Sequence, residues 1–96
     1  MSHEHTLKDL IEAALRSYSF NESITRGRVE QAYREVVGEF IVKLTRSVRY
    51  DVGSHTLRVV LSAAALKNEI SYKTSDLVAA INKKLGSNEV EKIQLL

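Results

Sequence analysis

The sequence predicts an α+β protein of element order α-α-β-β-α-β, with a three-stranded sheet and helices packed on one face. Three observations point there. Apolar residues recur at intervals of three and four over Leu7–Tyr18 and again over Val29–Leu44, the spacing of two amphipathic helices. From Thr45 the period shortens to two and is interrupted by Gly53, as in a hairpin of half-buried strands. Helical spacing returns after Ser62, and a last alternating run closes the chain.

The first helix is marked by Leu7, Leu10, Ile11, Ala14, Leu15 and Tyr18, which form one apolar stripe. Thr6 is placed to cap it, and Asp9 in its first turn suits the helix dipole. The polar stretch Ser19–Ser23, with Asn21 as its turn residue, predicts a break there. A second helix follows on Val29, Ala32, Tyr33, Val36, Val37, Phe40, Ile41 and Leu44. Gly38 falls inside it at a cost of about 1 kcal/mol relative to alanine, which suggests that another backbone approaches closely.

In the hairpin, Val48, Tyr50 and Val52 share one face and Ser47, Arg49 and Asp51 the other. After the turn at Asp51–Ser54, Leu57, Val59 and Leu61 point inward while Thr56, Arg58 and Val60 point outward. Ser62 is a candidate cap for a helix running to about Lys73, with Leu66 and Ile70 facing in. Tyr72–Ser75 bends or restarts it, and Leu77, Val78, Ile81 and Leu85 form the next stripe, ended by Gly86. Val90–Leu96 reads as the third strand. One domain over residues 6–96, preceded by a flexible leader at 1–5, fits the 96-residue length.

Composition excludes several classes. With no cysteine there is no disulfide framework and no thiol nucleophile. The longest nearly apolar stretch, Val59–Leu66, is far short of the ~20 residues of a membrane helix, and the N-terminus lacks the order of a signal peptide. A cytoplasmic protein with no membrane contact is expected. No set of groups converges on an enzyme's chemistry, and there is no phosphate-binding Gly-x4-Gly-Lys loop, so neither activity nor cofactor is expected. His3 and His5 belong to the leader, and His55 reads as an idle surface histidine. The net charge is +2, but residues 26–67 carry eight basic residues against four acidic ones. Lys43, Arg46, Arg49, Arg58 and Lys67 in this segment are the candidate nucleic-acid contacts, because lysine and arginine on phosphates supply most non-specific affinity.

Three stretches carry a family resemblance. Tyr33-Arg34-Glu35-Val36-Val37-Gly38 resembles the aromatic-x-x-Ile/Val-Val-Gly motif of the DciA-like family. Thr56-Leu57-Arg58-Val59, followed by Ser62 and Glu69-Ile70, is similar to its central run. Ile81-Asn82-Lys83-Lys84-Leu85-Gly86 and then Val90 and Ile93 resemble its close. The family's aromatic is usually tryptophan, where this chain has Tyr33. The resemblance implies a K-homology-like fold and a non-enzymatic adaptor in DNA replication, with the replicative DNA helicase as partner and weak, non-specific DNA binding. Tyr33, Val37, Gly38, Glu69, Asn82 and Gly86 would then serve mainly the fold. The alternatives are a protein-interaction module, with a homodimer through Val60 or Leu95-Leu96, and an RNA-binding domain. The latter is disfavoured because no two glycines stand at Gly-x-x-Gly spacing.

Overall fold

A computed structural model describes residues 6–96, so the leader with His3 and His5 lies outside the described residues. Helix α1 (Leu7–Lys43) is followed by strands β1 (Thr45–Asp51) and β2 (Thr56–Leu61). Helices α2 (Ala64–Ser71) and α3 (Thr74–Leu85) then lead to β3 (Lys92–Leu95). The sheet runs β1-β2-β3, with β1 antiparallel and β3 parallel to the central β2. Parallel pairing demands a long crossover, and α2 with α3 supplies it. Among the described residues, no helix is long and apolar enough to cross a membrane.

The class is α+β with the helices on one face of a three-stranded sheet, as the alternation in the hairpin requires. Val48 pairs with Val59 and Tyr50 with Leu57, and β3 adds Ile93 and Leu95 to the same face. Val29, Ala32 and Tyr33 of α1, Ile70 of α2 and Ile81 of α3 pack on it. The opposite face carries the exposed Arg49, Arg58, Lys92 and Gln94.

The helices are partitioned differently from the expected order. Ser19–Ser23 makes no turn, and α1 passes through it and through Gly27 without interruption. Serine and asparagine each cost under about 0.7 kcal/mol in a helix interior, too little to break one whose stripe is in phase on both sides. The break falls at Gly38, at φ 86° and ψ 170°, in a region that is essentially glycine-only. A Cβ placed there would meet nothing within 4 Å, so the glycine serves the backbone angle and not a close approach. The break re-aims the last helical turn. Phe40, expected in the core, stands 72% exposed, while Ile41 and Leu44 remain partly covered.

The stripe of Leu7, Leu10, Ile11, Leu15 and Tyr18, expected to pack on the sheet, instead projects from the body with each side chain more than half exposed. The molecule measures 64 × 24 × 21 Å as a result. Thr6 caps α1 as expected, accepting the Asp9 N–H at 3.1 Å. Ser62 does not cap α2: its hydroxyl donates to the Leu44 carbonyl at 3.1 Å, and Ala63 holds the cap position. The expected restart appears as a division into α2 and α3. Gly86 closes α3 in the left-handed conformation.

Strand β3 is only four residues long, and two side-chain clamps fix the segment before it. The Asn82 amide donates to the Val90 carbonyl at 2.8 Å and accepts the Val90 N–H at 2.9 Å, as one strand would pair with another. Beside it, the Tyr50 hydroxyl donates to the Glu89 carboxylate at 2.7 Å, and His55 Nδ1 lies 3.1 Å from the same carboxylate. His55 therefore ties the hairpin turn to the β3 approach. Desolvation pulls the His55 ring down, but the Glu89 carbonyl and carboxylate and the Glu91 charge outweigh it and leave its pKa raised. Burial, the Glu89 bond and neighbouring carboxylates push the Tyr50 phenol well above its ordinary value.

Three outcomes are expected. Gly38→Ala lowers the unfolding free energy by about 1–3 kcal/mol in urea titrations, the cost of holding alanine in a glycine-only region. Asn82→Ala leaves the Val90 pair unsatisfied and costs about 1–3 kcal/mol; Asn82→Asp, with no N–H to give, restores little of it. The raised His55 contributes stability that is full below its unfolded pKa of about 6.5 and is lost as pH rises through the higher folded value. The urea midpoint therefore falls from mildly acid to mildly alkaline pH, and His55→Gln flattens that slope.

Candidate nucleic-acid interface

The free side of β1 is where cationic side chains gather. Because β1 is an edge strand, its outward N–H groups need partners other than a neighbouring strand. The Glu30 carboxylate, from α1, takes the Tyr50 N–H at 3.0 Å and holds the helix along this edge. Arg26, Glu30 and Arg34 recur every four residues, so they lie on one side of α1 and flank its apolar stripe. That side leans over β1.

Two hollows open along the seam. Arg26, Glu30, Arg49, Tyr50, Asp51 and Arg58 line one. Tyr33, Arg34 and Val42 of α1, with Thr45, Arg46, Ser47 and Val48 of β1, line the other. Arg46 is set there by an irregularity in the ladder: Thr45 pairs with Leu61 and Ser47 with Val60, so Arg46 is the unpaired extra residue of a bulge. The floor of the second hollow is rigid, since the Tyr33 hydroxyl meets the Thr45 hydroxyl at 2.9 Å and Thr45 donates to the Ile41 carbonyl at 2.7 Å. Burial raises the Tyr33 phenol pKa.

Arg49 and Arg58 stand directly opposite each other on the open sheet face. Like charges so placed repel. Arg58 is partly relieved: its Nε donates to the Gln94 amide oxygen at 3.2 Å, and a guanidinium nitrogen lies 4.0 Å from the Asp51 carboxylate. The Ser54 hydroxyl, donating to Asp51, is the main cause that holds that carboxyl below its ordinary value, helped by Arg58. Arg49 makes no side-chain bond or ion pair among the described residues. The seam thus holds five arginines against Glu30 and Asp51, and Glu30 is already engaged by the backbone.

Of the sequence-based candidates, Arg49 and Arg58 meet in one hollow and Arg46 lines the next. Lys43, in the last turn of α1, and Lys67, on α2, are exposed but line neither. Arg26 and Arg34 were not among the candidates; their four-residue spacing was visible, but not the side of α1 that faces β1. Among the motif residues, Tyr33 is buried, Val37 is half-buried, Gly38 breaks α1, Asn82 clamps Val90 and Gly86 closes α3. Glu69 is exposed on α2.

No curated protein matches the chain. The family described as the Dna[CI] antecedent, DciA, matches residues 6–95. That span covers both strands of the hairpin, the arginine seam, the Asn82 clamp and all of β3. The resemblance carried by the Tyr33–Gly38, Thr56–Ile70 and Ile81–Ile93 stretches is thereby established, and the chain belongs to the DciA family.

Proposed function

We propose that this protein is a non-catalytic adaptor of DNA replication that contacts the replicative helicase and holds DNA weakly along the β1 seam. Family membership implies a replication role of the helicase-loader kind. The observation that supports the DNA part is the unneutralised Arg49, opposed to Arg58 across the open sheet face and flanked by Arg26. A phosphate seated there would relieve their repulsion and accept from planar guanidinium groups. Guanidinium contacts to phosphate carry no sequence information, so binding of this kind is non-specific and electrostatic. A cytoplasmic location accords with such a role.

RNA binding of the K-homology type is the weaker reading. Such a domain cradles the backbone with a Gly-x-x-Gly loop between two helices, whereas the α2–α3 junction here is Tyr72-Lys73.

Fluorescence anisotropy with single- and double-stranded DNA across a salt series tests the DNA part. Binding is expected to weaken with salt, and Arg26→Ala and Arg49→Ala each reduce the slope of log K against log salt by roughly 0.7–0.9. Absence of any salt-dependent binding at low ionic strength overturns it. Arg49→Thr separates function from folding. It removes a like-charge pair, so thermal stability rises by a few tenths of a kcal/mol to about 1 kcal/mol while DNA affinity falls. Failure of the cognate helicase to co-purify with the intact chain would count against the adaptor role.

A further inference from the structure

Helix α1 carries the same stripe twice. Ile11 and Val29 are eighteen residues apart, as are Ala14 and Ala32, Leu15 and Tyr33, and Tyr18 and Val36. Eighteen residues make five full turns at 3.6 residues per turn, so each upstream residue lies on the line of its downstream counterpart. Downstream the stripe is covered by the sheet and α3, with Val29 and Tyr33 almost fully buried. Upstream none of the described residues covers it: Leu7, Leu10, Ile11, Leu15 and Tyr18 are 51–74% exposed. A contiguous apolar face of this kind marks an interaction surface.

We propose that its occupant is a second copy of the same helix, laid antiparallel about a two-fold axis near Arg16, so that two protomers cover each other from Leu7 to Thr25. The pattern is self-complementary in this register. Ala14 of each copy meets Tyr18 of the other, a small residue under a large one. Leu15 meets Leu15 across the axis. Lys8 of each copy lies opposite Glu22 of the other, which gives two ion pairs flanking the apolar seam. Glu22 stands one turn from Tyr18 on the same side of α1, where its charge helps to raise the Tyr18 phenol pKa. One surface meets itself, as a two-fold dimer requires.

Length and charge point the same way. Leu7 of one copy comes to rest opposite Thr25 of the other, just short of Val29, the first buried residue of α1. The paired stretch is about 28 Å long at ~1.5 Å per residue. Stable interfaces bury about 800 Å² per partner, an area within reach of a helix seam this long that covers five exposed large apolar side chains. From Leu7 to Thr25 the chain carries Lys8 and Arg16 against Asp9, Glu12 and Glu22. This mildly acidic balance suits neither DNA nor an anionic membrane, and the surface is distinct from the arginine seam. Phe20 lies on the far side of α1 and stays outside the pair.

Sedimentation equilibrium of the full chain over a wide concentration range is expected to show a monomer–dimer equilibrium. Leu15→Asp, at an already exposed position, should leave the circular dichroism unchanged and give a monomer throughout. Lys8→Glu and Glu22→Lys each weaken the dimer several-fold, and combining them restores it, as only pairing between like copies predicts. The absence of cysteine allows a direct check: Leu15→Cys is joined to itself by a short bismaleimide and Phe20→Cys is not. A wild-type monomer at every concentration overturns the proposal. So does a dimer that survives Leu15→Asp, or a double charge reversal that fails to recover association; either outcome would assign the stripe to a different partner.

Discussion

The whole molecule hangs on one apolar line along α1. From Val29 to Val36 that line seals the inner face of the hairpin, and α3 shares the work through Ile81. Tyr33 is the largest fully buried side chain among the described residues, nearly inaccessible to solvent yet satisfied at its hydroxyl by Thr45. A buried phenol without a partner would cost the desolvation of its hydroxyl; here the bond reaches the first residue of β1 and so registers helix against strand. Gly38 then lets the chain leave the helical axis and enter that strand. The position of β1, and with it every arginine of the seam, follows from where the line is covered and where the helix breaks.

The strands and their facing were legible because alternation is a local signal. Val48 opposite Val59 and Tyr50 opposite Leu57 need only a period of two and a short turn. The continuity of α1 was not legible. Ser19–Ser23 has the composition of a turn, and only the phase relation between stripes eighteen residues apart distinguishes a helix that runs on from two that meet. Gly38 posed the opposite difficulty, because a glycine within a helical pattern is compatible with passage or with a break. Phe40 was misassigned for that reason alone. Contacts between residues distant in sequence, such as His55 with Glu89 or Glu30 with the Tyr50 N–H, leave no trace in spacing.

The candidate interface was half visible for the same reason. That Arg49 and Arg58 stand together follows from the hairpin register, a property of two neighbouring strands. That Arg26 and Arg34 join them depends on which side of α1 leans over the edge, a tertiary fact. The gathering has an energetic cost: cross-strand guanidinium groups repel, and Asp51 and Gln94 offset this at Arg58 but not at Arg49. Folding alone gives no reason to keep such a pair, whereas an anionic ligand does.

The bulge at Arg46 has a consequence of another kind. An edge strand with a free row of amides invites a strand from a neighbouring molecule, the first step of sheet-like aggregation. On β1 that row is occupied at Tyr50 by Glu30, distorted at Arg46, and lined with cations that would have to be desolvated by any incoming strand. The charges that suit a polyanion therefore also act as gatekeepers of solubility. A chain stripped of them would gain a tendency to precipitate.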